Sequence, residues 1–104
     1  MKTELRQPYR TFFGTLDNQI RLDIINLLLK GSKNATQISK SLKLKQSTLS
    51  KNMKILEHCG FVFVKHNGKE CYYLLNTITI KPILKLMHNH MINYCKKISK
   101  CGDY

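Results

Sequence analysis

The sequence predicts one mainly α-helical domain with a small β-hairpin, in the order α-α-α-α-β-β-α. Three observations predict it. A chain of 104 residues has room for one domain whose core is stable without disulfides or metals. Apolar residues recur at helical spacing on both sides of a shorter segment, residues 61–75. Within that segment Asn67 and Gly68 separate two runs of aromatic and β-branched residues, which is the strongest short-range pattern for a hairpin.

The helices before the hairpin are predicted from apolar stripes and capping residues. Asn18 can cap a helix whose two apolar stripes predict burial, and Lys30 with Gly31 ends it. Residues 34–37, Asn-Ala-Thr-Gln, form a capping-box pattern that opens a short helix. A longer amphipathic helix is predicted from about residue 46 to 58, with polar residues along one side.

A last helix is predicted at about residues 78–99. Its apolar residues alternate spacings of four and three, which is the heptad pattern of helices that pair with another helix. The residues in this pattern are Ile80, Leu84, Met87, Met91, Tyr94 and Ile98. The chain is therefore expected to be dimeric.

The charge of the chain indicates a polyanionic partner. Lysine and arginine total 18 against 6 acidic residues, which gives a formal net charge of +12. The basic residues concentrate between Lys30 and Lys69 instead of spreading evenly. A charge that only keeps the protein soluble is the alternative, but it would not require this concentration.

The sequence predicts neither a membrane protein nor a metal-stabilised fold. No apolar run approaches the ~20 residues of a membrane helix, and the first residues lack the apolar segment of a signal peptide. Cys59, Cys71, Cys95 and Cys101 are too irregularly spaced for a zinc finger or a Cys-x-x-Cys motif. We therefore expect a cytoplasmic protein with reduced cysteines, which needs no cofactor or metal.

The order of the elements predicts a winged helix-turn-helix that binds double-stranded DNA with about residues 16–76. A helix enters the ~12 Å major groove only if its outer face carries short polar or cationic groups. On the helix at 46–58, Gln46 and Asn52 are predicted to read base edges. The other contacts predicted there are Lys45, Ser47, Thr48, Ser50, Lys51 and Lys54. At the hairpin tip the predicted contacts are Lys65, His66, Asn67 and Lys69.

Lys45 is unusual because it stands at the N-cap of a predicted helix. That position favours Ser, Thr, Asp or Asn, and a cation there opposes the helix dipole at a cost of roughly 1 kcal/mol. A DNA phosphate close to Lys45 would offset this cost.

In these segments the chain resembles the ArsR/SmtB family of winged-helix repressors. Residues 16–24, which include Arg21, are similar to the start of that family's second helix. Residues 44–62 are similar to its recognition-helix segment, and residues 68–75 to its wing. One departure is Asn52, where many members have histidine, and it bears on base preference.

The resemblance implies a homodimer that binds an imperfect palindrome, with half-sites about one DNA turn apart. It implies that the first and last helices hold the two protomers together. The expected interface residues are Tyr9, Phe12, Phe13, Ile80, Leu84, Met87, Met91, Tyr94 and Ile98.

The metal sites of the family are largely missing here. Its Cys-x-Cys site corresponds to Asn34 and Thr36. A second family site, on the last helix, corresponds to Thr77, Thr79, His90 and Asn93. Of these positions only His90 has a side chain that commonly binds metals, whereas a Zn²⁺ site needs four ligands. The possible sensor residues that remain are His88, His90, Cys95 and Cys101.

The leading hypothesis from the sequence is a sequence-specific, dimeric transcriptional repressor. One alternative is a non-specific architectural DNA-binding protein, and another is a repressor that responds to thiol oxidation or a soft metal through its C-terminal cysteines. A winged helix used for protein contacts fits poorly with so many lysines on one surface. An enzyme is not expected, because no nucleophile-base pair, metal cluster or glycine-rich phosphate loop is present in the sequence.

Overall fold

A computed structural model describes residues 7–95, which form five helices and a three-stranded antiparallel sheet. The elements in chain order are α1 (Gln7–Leu16), α2 (Gln19–Leu28), β1 (Lys33–Asn34), α3 (Ala35–Leu42), α4 (Gln46–His58), β2 (Val62–Asn67), β3 (Glu70–Leu75) and α5 (Ile80–Tyr94). The predicted fold class is confirmed, with β1 as an addition to the predicted order. We call α4 the recognition helix, and β2, β3 and their turn the wing.

The core lies between α2, α3, α4 and the base of the wing. Ile24 of α2, Ile38 of α3 and Leu56 of α4 are fully buried, and so is Phe61, which follows α4. Ile24, Ile25 and Leu28 of α2 are buried as predicted, whereas Leu22 and Leu29 of its second apolar stripe are each 40% exposed. The recognition helix therefore rests on the core by one face and leaves the other face exposed.

Side-chain caps begin the two helices before the recognition helix. The Oδ1 atom of Asn18 accepts a hydrogen bond from the Arg21 N–H at 3.0 Å, which caps α2. At α3 the predicted capping box is present. The Asn34 side chain accepts from the Gln37 N–H at 2.8 Å, and the Gln37 side chain accepts from the Asn34 N–H at 2.9 Å.

The recognition helix has the predicted bounds, and a Schellman motif ends it. The Gly60 N–H donates to the Glu57 carbonyl at 3.1 Å and the Phe61 N–H to the Leu56 carbonyl at 2.9 Å. Gly60 has φ +76, a conformation that favours glycine. Because Phe61 is fully buried, the chain leaves α4 in a fixed direction toward the wing.

The strand β1 was not predicted and joins the sheet at the edge of β3. Lys33 pairs with Tyr73 and Asn34 with Tyr72, which gives the strand order β1-β3-β2. Asn34 therefore has two roles, since it caps α3 and also belongs to a strand. The first turn of α3 is thus attached directly to the wing.

The turn of the wing is one residue later than the Asn-Gly pattern suggests. Asn67 pairs with Glu70, so the two turn residues are Gly68 and Lys69. Gly68 has φ +66, whereas Lys69 is not among the described residues with positive φ. This agrees with a type II′ turn, which places glycine at the first central position.

The helix α5 starts at Ile80, with Pro82 in its first turn, where its missing N–H is tolerated. Ile80 is only 4% exposed and belongs to the core of its own chain. Its predicted place in the dimer interface is therefore wrong. Within residues 7–95, no helix has the length and apolar character that crossing a membrane requires.

Candidate nucleic-acid interface

The recognition helix presents a continuous polar and cationic face to solvent. Leu49, Met53 and Leu56 point into the core. The exposed side chains of α4 that were predicted to contact DNA are Gln46, Ser47, Ser50, Lys51 and Lys54. Thr48 is half-buried at the edge of this face. The face carries hydrogen-bonding groups for base edges and charges for phosphates, which a helix in the major groove needs.

The N-terminus of the recognition helix combines two positive features. Lys45 is the N-cap, it is exposed, and its side chain makes no capping hydrogen bond. The first N–H groups of a helix have no partner within the helix, and they carry the positive end of its dipole. Lys45 adds a full charge at the same end. This end of α4 therefore suits a phosphate, which would offset the unfavourable N-cap residue.

Asn52 does not belong to the exposed face, and its predicted role in reading bases is wrong. It is 6% exposed, since it lies three residues after Leu49 and four before Leu56, on the side of α4 that faces the core. Its Oδ1 atom accepts a hydrogen bond from the Arg21 guanidinium at 2.9 Å. Its Nδ2 atom donates to the Thr48 carbonyl at 2.9 Å. Both ends of the amide are therefore used inside the protein.

The wing carries exposed basic residues on both of its faces. Side chains along a strand alternate between faces, so Lys65 and Asn67 lie on one face of β2 and His66 on the other. Together with Lys69 in the turn, all of these residues are exposed. The positive charge at the tip is thus free to approach a DNA backbone.

Each face of the wing has a further contact that residue types alone did not indicate. The Tyr72 hydroxyl donates to Glu70 at 2.6 Å, on the face of Lys65 and Asn67. This hydrogen bond and the charge of Glu70 raise the pKa of Tyr72. On the opposite face, the Cys71 Sγ atom lies 3.7 Å from Nδ1 of His66. Glu70 therefore places one negative charge beside the basic tip.

A cleft lies between the recognition helix and the wing. It has a volume of about 410 Å³ and is lined by Ala35 of α3, Tyr73 of β3 and four residues of α4, which are Gln46, Ser47, Leu49 and Ser50. Burial raises the pKa of Tyr73, and the charges of Cys71 and Glu57 add to the effect. Tyr73 lines this cleft beside α4, a position that the sequence did not predict. Its place beside α4 depends on how the wing packs on the helices, so no local sequence pattern indicated it.

The residues predicted for the dimer interface differ in exposure. Phe13 is 55% exposed, Met87 38%, Met91 40% and Tyr94 78%, so these side chains are accessible to a partner. Tyr9, Phe12 and Leu84 are half-buried, and the last two pack against the core of their own chain. Ile98 lies outside the described residues.

The possible sensor residues do not form a metal site within residues 7–95. His88 lines a groove between α2 and α5, and the His90 ring lies 5.2 Å from the Tyr94 ring. Cys95 is half-buried at the C-cap of α5, and Cys101 lies outside the described residues. In the described part of the chain, no three His, Cys, Asp or Glu side chains come together as metal ligands would. The sensor role stays a prediction.

The exposed polar helix, the helix-turn-helix that carries it and the adjoining basic hairpin define the winged helix-turn-helix class of DNA-binding domains. Residues 18–63 match the family model for bacterial regulatory proteins of the arsR family. The transcriptional repressor PagR of Bacillus anthracis is 37% identical over 76 residues, which are 71% of this chain and 75% of PagR. The chain belongs to the arsR family of bacterial regulatory proteins, and it is a DNA-binding transcriptional regulator.

Solved structures show the same fold. HlyU from Vibrio cholerae superposes with a TM-score of 0.70 at 26% identity, over 85% of this chain and 92% of HlyU. Rv0081 of M. tuberculosis has a TM-score of 0.79 at 21% identity, over 86% of this chain and 90% of that chain. A fragment of Mb0332 from Mycobacterium bovis, described as a homodimeric winged helix-turn-helix DNA-binding domain, has a TM-score of 0.70 at 20% identity, over 84% of this chain and 83% of that fragment. The family resemblance stated from the sequence is confirmed.

Proposed function

We propose that the protein is a homodimeric transcriptional repressor that binds an imperfect palindrome in promoter DNA. The observation that carries the proposal is the exposed face of α4, where polar and cationic side chains alternate beside the basic wing. The protein acts by occupying the DNA, so no chemical step is required. PagR, the relative with 37% identity, is itself a transcriptional repressor.

The contacts divide into those that read bases and those that hold the backbone. Gln46 is exposed in the first turn of α4, and its amide can both donate to and accept from a base edge. The proposed phosphate contacts on the helix are Lys45, Ser47, Thr48, Lys51 and Lys54, with Ser50 beside them. On the wing, Lys65, His66, Asn67 and Lys69 follow the backbone or the minor groove.

The dimer is proposed to form through α1 and α5. Met87 and Met91 lie four residues apart on α5, so they share one face of that helix. Phe13 is an aromatic side chain on α1 that is more than half exposed, with a ring 5.5 Å from Phe12. Burying these apolar side chains against a second copy provides the driving force for association. Two recognition helices related by a two-fold axis then meet two half-sites of a palindrome.

A comparison of two DNA duplexes tests the proposal. Binding is measured on the DNA upstream of the protein's own gene and on a random duplex of equal length, at the same salt concentration. We expect the first duplex to bind at least about 10³-fold more tightly, with two chains per site. Equal affinities for the two duplexes would contradict sequence-specific repression and favour an architectural role.

The same assay examines the possible sensor. Zn²⁺, arsenite and a thiol oxidant are added separately to the complex with the upstream DNA. Release by the oxidant or by arsenite assigns a sensing role to the thiols, and a matched Cys95→Ser variant then tests whether Cys95 is one of them. A complex that resists all three additives excludes a response of this kind.

A further inference from the structure

The guanidinium group of Arg21 connects three helices. Its Nε–H donates to the Thr15 carbonyl at 2.8 Å, and one terminal nitrogen donates to the Gly14 carbonyl at 3.2 Å, both in the last turn of α1. The other terminal nitrogen donates to Asn52 of the recognition helix at 2.9 Å. Arg21 itself belongs to α2. One side chain thus links α1, α2 and α4 directly.

The positions of the donors explain why arginine suits this place. The last carbonyls of a helix lack partners within the helix, and they carry the negative end of its dipole. No basic residue lies in the last turn of α1 itself, so Arg21 supplies the cation from the next helix. A lysine has a single nitrogen and cannot reproduce the fixed fork that reaches acceptors on two separate helices.

The amide of Asn52 has only one possible orientation. A guanidinium only donates and a carbonyl only accepts, so the oxygen of Asn52 must face Arg21 and its nitrogen must face the Thr48 carbonyl. The intrahelical bond to Thr48 fixes the amide on α4. A shift of Arg21 would therefore also shift Asn52 and the part of α4 to which Asn52 is bonded.

A second contact between α1 and the end of α4 lies about two helical turns away from the first. The hydroxyl of Thr15 lies 3.2 Å from the Sγ atom of Cys59 and donates to the Thr11 carbonyl at 2.8 Å. Asn52 and Cys59 are seven residues apart, which is about 10 Å along a helix. One contact fixes only a point on a helix, whereas two separated contacts also fix the direction of its axis.

We propose that Arg21 and Asn52 are positioning residues that set the direction of the recognition helix relative to α1, and with it the half-site spacing that the dimer accepts. This inference rests on the proposed function, because α1 transmits its position to the second protomer only in a dimer. Both side chains are occupied by hydrogen bonds within the protein, so neither is proposed to contact the DNA. Arg21 and Asn52 determine the relative position and direction of the two recognition helices in the dimer. The exposed face of α4 determines which bases are read.

A small change in direction is sufficient to matter. The 13 residues of α4 form a helix about 20 Å long, so a tilt of about 10° moves one end by about 3 Å. This displacement is close to the rise of one base pair, which is about 3.4 Å. An inserted base pair also rotates one half-site by about 35°, so loss of the Arg21 bridge is expected to weaken the preference for one spacing and to leave the reading of each half-site intact.

The test begins with selection of duplexes from a random-sequence pool by the full-length protein. The selected palindrome is then rebuilt with one base pair inserted between its half-sites. The wild type is expected to lose at least about tenfold in affinity for the longer duplex. Arg21→Lys and Asn52→Ala are expected to lose clearly less affinity than the wild type on the longer duplex, with unchanged base preference within each half-site.

A destabilised control separates positioning from general loss of stability. Leu75 is 5% exposed on β3, in the wing, and makes no part of the bridge, so Leu75→Ala lowers stability without touching Arg21. This control is expected to keep the spacing preference of the wild type. The inference would be overturned if Arg21→Lys and the wild type lost the same affinity on the longer duplex. A changed base preference in Asn52→Ala would also overturn it.

A measurement without DNA tests whether Arg21 sets the direction of the recognition helix, even if the proposed function fails. Such a failure shows as a wild type that selects no palindrome. Residual dipolar couplings of the amides of α1 and α4 are expected to fit one alignment tensor in the wild type and to require two in Arg21→Lys. A single tensor in both proteins would show that Arg21 does not set the direction of the recognition helix.

Discussion

The rings of Phe12 and Phe61 pack together with their centroids 5.1 Å apart and an angle of 30° between their planes. Phe61 is fully buried and follows the glycine that ends the recognition helix. Its backbone also closes the base of the wing, because the Phe61 carbonyl, just before β2, accepts a hydrogen bond from the N–H of Asn76, just after β3, at 2.8 Å. Helix α1 is thus packed against the junction between the recognition helix and the wing.

Phe61→Ala is expected to lower the free energy of unfolding by about 3–5 kcal/mol, because it removes a buried ring and leaves a cavity. Phe61→Leu keeps most of the volume and is expected to cost clearly less. Urea denaturation followed by circular dichroism measures both variants. A loss below about 1 kcal/mol in Phe61→Ala would show that the ring is not part of the core.

Asn34→Ala is expected to cost about 1 kcal/mol of stability, because it removes the side-chain oxygen that accepts from the Gln37 N–H, while the backbone N–H that donates to the Gln37 side chain remains. Asn34→Asp keeps an acceptor and adds a negative charge at the N-terminus of α3, so it is expected to be close to neutral. The same urea titrations compare the two variants. If Asp and Ala are equally destabilising, the side chain does not act as a cap.

Lys51→Ala is expected to weaken DNA binding and to reduce the slope of log K against log salt by about one ion, because Lys51 is proposed to contact a phosphate. Lys85→Ala is the matched control, since Lys85 is an exposed lysine on α5. Fluorescence anisotropy at several salt concentrations gives both slopes. An unchanged slope in Lys51→Ala would remove this residue from the interface.

Met87→Glu combined with Met91→Glu is expected to convert the dimer to monomers, because two charges would be buried in the proposed seam. Leu86→Glu is the control on the same helix. Leu86 is 69% exposed and lies about 100° around the helix from Met87. Sedimentation velocity gives the mass of each variant. A dimer that persists in the double variant, or one that Leu86→Glu breaks instead, would place the interface elsewhere.

Stability is expected to fall at alkaline pH, with Tyr73 contributing to the fall. Burial raises the pKa of Tyr73 above its ordinary value of 10.0, so the folded state holds this proton more tightly than the unfolded state. The contribution is complete below the unfolded pKa and is lost as pH rises through the folded pKa. Tyr73→Phe cannot ionise, and its urea midpoint is expected to decline less than that of the wild type above about pH 10. Parallel declines would show that Tyr73 titrates alike in both states.

The bounds of the recognition helix could be predicted because their causes are local. The apolar stripe of α4 and the glycine after it lie within one short segment, and the capping box of α3 needs only residues 34–37. The strand β1 has no such cause. It contains two residues, too few for a period, and it exists only because β3 lies beside it.

Asn52 and Ile80 show why part of the site could not be predicted. The residue type of Asn52 suggested base reading, but its partner Arg21 is 31 residues away in the sequence and only the fold brings them together. Ile80 fits the heptad pattern, yet an apolar residue at such a position packs equally well in its own core or against a partner. Periodicity identifies an apolar face but does not say what covers it.

The pairing of β1 with β3 holds the base of the wing, whereas the turn at Gly68 and Lys69 lies at the far end of the hairpin. Residues added at this turn would lengthen the reach of the wing along the duplex without disturbing the capping box or the packing of Phe61. Long surface insertions cost little in loop entropy. Insertions at the tip are therefore expected to extend the proposed contact of the wing with DNA independently of the bases that α4 is proposed to read.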